Sequence, residues 1–344
     1  MESRGFERAR IDWIDCARGI AILLVIVGHG VDGFSRALIF SFHMPLFFVL
    51  SGRTFRPSAD GKQWIGNMRR AAGRLLVPAV FIYLLRTAAA VWQRPELSVN
   101  FSYWKGILYT FLFASGVDIE NSGIFGGMAV EAMGMPWFFF VLFSGRTLYD
   151  YLRLKVPGRW LWTACIAVSG AGVILGAVQW LPFSLDIALA VVPFFCGGDS
   201  LRNVDLKKRT WRILIVSGML WLATLMAEYP DRSQWTYLEL TWRRYPLYPL
   251  CMITAAAGSL FWCEISILIL KLGKLVRPLI FLGRNSMYLL CVHMMDYLWQ
   301  PICYAEGPAF LSLMKKLTAD VLIFLLIMAM RNCVKKFHDR GIKS

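Results

Sequence analysis

Apolar residues in this chain gather into long runs that recur almost from end to end, with polar residues confined to the gaps between them. Ten runs predict helical spans, at 14–33, 38–55, 72–92, 136–152, 160–180, 184–200, 211–228, 245–270, 278–299 and 309–330. Each is close to the ~20 residues a helix needs to cross ~30 Å of hydrocarbon. The runs at 38–55, 136–152 and 184–200 are short, which suits a span that is less tilted, broken or re-entrant. The predicted fold is an all-α polytopic membrane protein, a single integral-membrane domain over 1–344.

Composition agrees: 57% of the 344 residues are hydrophobic and 15% aromatic, far too apolar for an ordinary soluble domain. The first run is no cleavable signal peptide, since it lacks an A-x-A-like exit and carries a charge and an imidazole. No soluble domain of any size is expected at either end. Placing both termini in the cytoplasm puts 27 of the 37 Lys and Arg residues on the inner side and 8 on the outer, with Arg18 and Arg86 inside spans. That asymmetry supports ten spans with both ends inside. The net charge of +15 then follows from topology and anionic lipid, and no nucleic-acid partner is needed to explain it. Seven of the eight cysteines (Cys16, Cys165, Cys196, Cys251, Cys263, Cys291 and Cys303) lie in or at the ends of apolar runs. They show no C-x-x-C pair, so neither a disulfide framework nor a metal site is expected.

Two outer connections stand out. The larger, 93–135, is Gly-rich and holds an aromatic stretch, Tyr103–Ser115, too short to span and predicted to be an interfacial or re-entrant helix. The other, 229–245, carries Asp231, Arg232, Glu239, Arg243 and Arg244 among Tyr and Trp residues. Both can rim a polar substrate or serve as ordinary interface belts.

Chemistry concentrates in the first hairpin. Arg18 and His29 share one apolar run, and an ionisable pair inside hydrocarbon is costly enough to suggest function. Eleven helical steps advance ~16 Å and turn about 20° past three full turns, so both side chains fall on one face. Asp12 or Asp15 can cap the helix start, and Arg18 can snorkel toward cytoplasmic phosphates. His43 lies at a similar depth in the second run, which makes one imidazole a candidate base and the other a positioning group or oxyanion donor. The competing reading of either His is a packed side chain bonded to a carbonyl.

Further along, Arg69, Arg70 and Arg74 cluster at the mouth of the third run, where guanidinium forks can grip phosphate. Ordinary positive-inside charge would look the same. Arg86, mid-run, is expected to pair within the bundle, and Asp186 opens the sixth run as another buried ionisable group. His293 has Asp296 one turn on as a partner and reads as structural or substrate-lining, whereas His338 lies in the basic tail. No Gly-rich phosphate loop, G-x-S-x-G elbow or H-E-x-x-H is present.

These residues fall in an order that resembles acyltransferase family 3, integral-membrane enzymes, and especially its fucose 4-O-acetylase-like branch. The resemblance rests on Asp15, Arg18–Gly19, the Arg18-x10-His29 spacing, SFHMPLFF at 41–48 and Ser51–Gly52. It continues through RRAAGRLLVP (69–78), PWFF (136–139), LPFSLDIALAVVPFF (181–195) and LGRNSMYLLCVH (282–293), so it runs from about residue 10 to 330. Cys196–Gly198 departs from the bulkier residues usual before this Gly.

The resemblance implies acyl transfer, usually of acetyl from acetyl-CoA to a hydroxyl of a sugar or cell-envelope glycan. The CoA phosphates would then lie near Arg18, Arg69, Arg70 and Arg74, with Asp15 and Arg18 also counted among the catalytic residues. The thioester would reach His29 as general base, with His43, Ser51 or a backbone N–H as oxyanion donor. Asp186, His293, Ser51 and Trp137 would line the substrate path, and Trp104, Tyr237 and Trp242 could stack on sugar rings. The competing class is a transporter or exporter of a small polar solute, which the missing internal repeat argues against. A scaffold or sensor would leave Arg18-x10-His29 unexplained.

Overall fold

All ten expected stretches hold helix in the computed structural model, which describes residues 11–120, 129–229, 235–295, 299 and 309–341. In chain order the helices are α1 (Asp12–Gly28), α2 (Gly33–Phe40), α3 (His43–Arg53), α4 (Gly61–Gln93), α5 (Phe101–Phe113), α6 (Trp137–Lys155) and α7 (Leu161–Val178). There follow α8 (Leu185–Ala190), α9 (Val192–Ser200), α10 (Thr210–Ala227), α11 (Leu250–Ile269), α12 (Arg277–Arg284), α13 (Ser286–His293) and α14 (Ala309–Gly341). Among the described residues, six helices are long and apolar enough to cross a membrane, or seven if the pair bent by 48° around Val191 is one span. The chain is a multi-pass, all-α membrane protein. Neither α1 nor α6 is among those six: α1 has 17 residues, and α6 carries Arg146, Asp150, Arg153 and Lys155.

Several elements differ in length from the apolar runs. The first helix stops at Gly28 rather than continuing to 33, because Gly28, Gly30 and Gly33 (φ +61°) open a turn. The second run is broken at Ser41–Phe42 into α2 and α3. Ser41 stitches that break, with Oγ donating to the Leu38 carbonyl at 2.9 Å and accepting from Trp221 Nε1 at 2.9 Å. The third run lies inside α4, which begins at Gly61 on an Asp60 cap and extends 33 residues. At 1.5 Å per residue that is about 50 Å, well beyond the hydrocarbon thickness, so its first turns stand clear of the apolar layer. The run at 278–299 is divided at Asn285 into α12 and α13. Tyr103–Ser115 falls on α5, 13 residues long and too short to cross.

Two helix contacts are close because glycine permits them. A Cβ on Gly283 of α12 would meet the Asp15 carbonyl oxygen at 1.6 Å, and one on Gly19 of α1 would meet that of Leu279 at 2.1 Å. Backbone therefore lies on backbone along α1–α12. In the same way a Cβ on Gly52 of α3 would meet the Phe195 carbonyl oxygen at 2.2 Å, and one on Gly198 of α9 would meet that of Val49 at 2.0 Å. The Gly in the departing Cys196–Gly198 segment is thus a packing contact. Between these pairs an aromatic core of Phe48, Phe138, Phe139, Tyr149 and Phe195 fills the bundle.

Candidate active site

Among the described residues, two cavities gather the candidate site residues. The first lies at the end where α1 begins, here the proximal end; it encloses about 760 Å³. Its wall carries the guanidiniums of Arg18, Arg53, Arg74, Arg146, Arg202 and Arg284 against a single carboxylate, Asp15. Asp15 is buried and accepts from Arg18 Nη1 at 3.5 Å and from Arg284 Nε at 3.2 Å, while Arg284 Nη2 donates to Asp12 at 2.8 Å. The close α1–α12 contact is what brings Arg284 to Asp15. Arg53 lies over the Trp13 ring at 5.2 Å and donates to the Val204 carbonyl at 3.2 Å. Arg18 and Arg284 are paired with Asp15 and Asp12, and Arg202 with Asp199, which leaves Arg53, Arg74 and Arg146 as the excess cations of a site suited to a polyanion, since guanidinium forks match phosphate oxygens.

The second cavity, about 230 Å³, lies toward the other, distal end. Its wall includes His29, Arg36, Phe40, His43, Trp137, Glu239 and Trp242. His29, the residue that caps α1, is open to it and meets the Phe40 ring edge-on at 5.6 Å. His43 is buried; its Nδ1–H donates to the Ile39 carbonyl at 3.0 Å, a bond the α2–α3 break makes possible, which leaves Nε2 as the basic nitrogen. Glu239 lies 3.9 Å from both Arg36 and Arg244. Burial pushes its carboxyl above the usual carboxylate range, and those two guanidiniums pull it back.

Phe47, Phe138 and Leu290 belong to the walls of both cavities. Three apolar side chains thus stand between the guanidiniums and the imidazoles. Arg18 and His29, expected on one face of one helix, lie on opposite sides of this partition.

The other expected site residues divide. Ser51 lines the proximal cavity, away from His29, and Trp137 the distal one. Arg69 and Arg70 are exposed on α4 and line neither cavity; Arg70 Nη2 donates to Asn67 Oδ1 at 2.6 Å. Asp186 is fully buried and paired with Arg243, whose Nη2 reaches Oδ1 at 3.2 Å and whose guanidinium stacks 3.4 Å from the Trp180 ring. That pair fastens the 229–245 connection to α8 and lines neither cavity. Arg86 donates to the Met133 carbonyl at 3.2 Å. His293 is buried, 5.7 Å from the His29 ring, and bonds Asp320 rather than lining the cavity. Asp296, its expected partner, lies outside the described residues, as do Asp231 and Arg232, and so does the His338 side chain.

Sequence reasoning missed Arg146, Arg284 and Asp320 as parts of this arrangement, and had Glu239 only as one of several charges on a candidate substrate rim. Arg146 and Asp320 carry the same signal that singled out Arg18, an ionisable group well inside an apolar run. Arg284 lies near the start of the run at 278–299, where it reads as positive-inside charge, and Glu239 sits in a connection where nothing separates it from ordinary loop charge. No group of three His, Cys, Asp or Glu gathers to hold a metal among the described residues.

An acyltransferase domain is matched over residues 11–330, and the chain belongs to acyltransferase family 3, whose members are membrane acyltransferases. It is also similar to nodulation protein NolL of Mesorhizobium japonicum, with 26% identity over 202 residues, 54% of this chain and 46% of that relative. The chain thus spans about half the length of the relative it matches. No solved structure matches.

Proposed function

We propose that this acyltransferase moves an acetyl group from cytoplasmic acetyl-CoA to a hydroxyl of a sugar or envelope glycan, in a bacterial inner membrane with both termini inside. The observation that carries the reading is the pair of cavities: a cationic chamber and a chamber of imidazoles and aromatics, divided by three side chains. In this reading Arg18, Arg74, Arg146 and Arg284 hold the CoA phosphates, and the pantetheine arm passes Phe47, Phe138 and Leu290. The thioester then lies at His29.

A hydroxyl attacks a thioester efficiently only if its proton leaves in the transition state. His29 takes that proton as the C–O bond forms; the C–S bond breaks and the proton passes to the departing sulfur. His43 Nδ1–H is committed to a carbonyl, so a neutral His43 cannot donate through Nε2, and a backbone N–H or Arg36 is the better oxyanion donor. Trp137 and Trp242 offer ring faces to a sugar, with Glu239 as hydroxyl acceptor.

The test follows labelled acetyl from acetyl-CoA into the host's envelope glycans. His29→Ala should lower transfer by about 10²-fold or more at normal abundance in the membrane; full activity in that variant would refute the base. Counterflow of a labelled solute with no acetylated product would favour a transporter instead.

A further inference from the structure

Asp320 and His293 are ionisable, buried within apolar helices, and assigned to no step above. Both are fully enclosed, with side-chain exposures of 0%. A carboxylate there is costly unless something compensates it, and such groups commonly serve a function. Asp320 is held from two sides: Nδ1–H of His293 donates to Oδ2 at 2.8 Å, and Trp299 Nε1 donates to Oδ1 at 3.1 Å. With Nδ1 so committed, Nε2 is the accepting nitrogen of His293. The His293 ring centroid lies 5.7 Å from that of His29, tilted by 41°, a spacing that one bridging water can span. His43, Lys316 and Arg36 are the other titratable or charged neighbours of His29. Lys316, one turn before Asp320, is buried as well.

We infer that Asp320 and His293 are positioning residues for His29, Asp320 supplying the negative charge that offsets the imidazolium formed there and His293 transmitting it. This rests on the reading of His29 as base. As the acceptor O–H bond breaks, the proton makes His29 cationic beside Lys316 and Arg36, two charges that oppose it. The carboxylate, acting through the second imidazole, lowers the energy of that cation. Collapse of the tetrahedral adduct breaks the C–S bond and sends the proton to sulfur, which leaves the chain of side chains as it began.

The experiment uses the full chain in lipid nanodiscs, with acetyl-CoA as donor, host envelope glycans as acceptor and free CoA as the binding probe. Asp320→Asn, Asp320→Glu, His293→Gln and His29→Ala are compared. Asp320→Asn should lose roughly ten- to hundredfold in kcat while CoA affinity and melting temperature stay within error of wild type. Asp320→Glu should recover part of the loss. Turnover near wild type in Asp320→Asn refutes the inference; so does a loss accompanied by equal losses of CoA affinity and melting temperature, which marks a purely structural pair. Should Asp320→Asn fail to insert, the kcat of His293→Gln decides by the same criteria. If His29→Ala is inert while Asp320→Asn is fully active, only the present inference fails; if His29→Ala is active, the base assignment fails with it.

Discussion

The proximal cavity is about 760 Å³ of guanidiniums, and the distal cavity about 230 Å³ of imidazoles and aromatic rings. The first is suited to capture, because clustered cations attract an anion over several ångströms and tolerate variation in where it lands. The second is suited to chemistry, because its polar groups have defined neighbours: His43 bonds a carbonyl, Glu239 lies between two arginines, and His29 lies beside the rings of Phe40 and His293. Capture needs charge, and proton transfer needs placement. The same first helix contributes to both, through Arg18 at one end and His29 at the other.

That contrast can be broken in order of expected effect. The largest change should come from Gly283→Leu, since a Cβ there would meet the Asp15 carbonyl at 1.6 Å and force α1 from α12. Overpacking of this kind costs about 1–3 kcal/mol or more. A thermal melt in detergent should drop by several degrees while donor KM rises; an unchanged melt would mean that the two backbones are not in contact. Next, Arg146→Ala should raise the KM for acetyl-CoA about tenfold, about 1.4 kcal/mol, and leave the KM for acceptor alone. Were the acceptor KM to move instead, the division of labour between the cavities would be wrong. Smallest is Arg70→Ala, for an exposed residue bonded to Asn67. Its donor KM should change less than twofold, and a tenfold change would enlarge the capture site to the α4 surface.

Much of this was legible beforehand. Long apolar runs mark helices because hydrocarbon demands that every backbone group be bonded within the segment. What the runs could not show is where a helix stops inside one. The turn after Gly28 and the break at Ser41–Phe42 are set by Gly spacing and by Trp221, 180 residues away from Ser41. The site was half legible for a related reason. His29, His43, Arg18 and Asp15 lie close in sequence and were found together. Arg284 and Asp320 reach the same neighbourhood from the far end of the chain, through α12 packing on α1 and α14 packing on α13. Asp186 shows the opposite error: a buried acid can be explained by one arginine on a returning loop.

Phe47, Phe138 and Leu290 carry no side-chain hydrogen-bond donor or acceptor, so water and ions gain nothing by lingering among them. A living membrane stores a voltage, and any enzyme that opens an aqueous thread from face to face would discharge it. A septum of three oily side chains acts as an electrical insulator, and a slender chain passing through it would fill the gap that it opens.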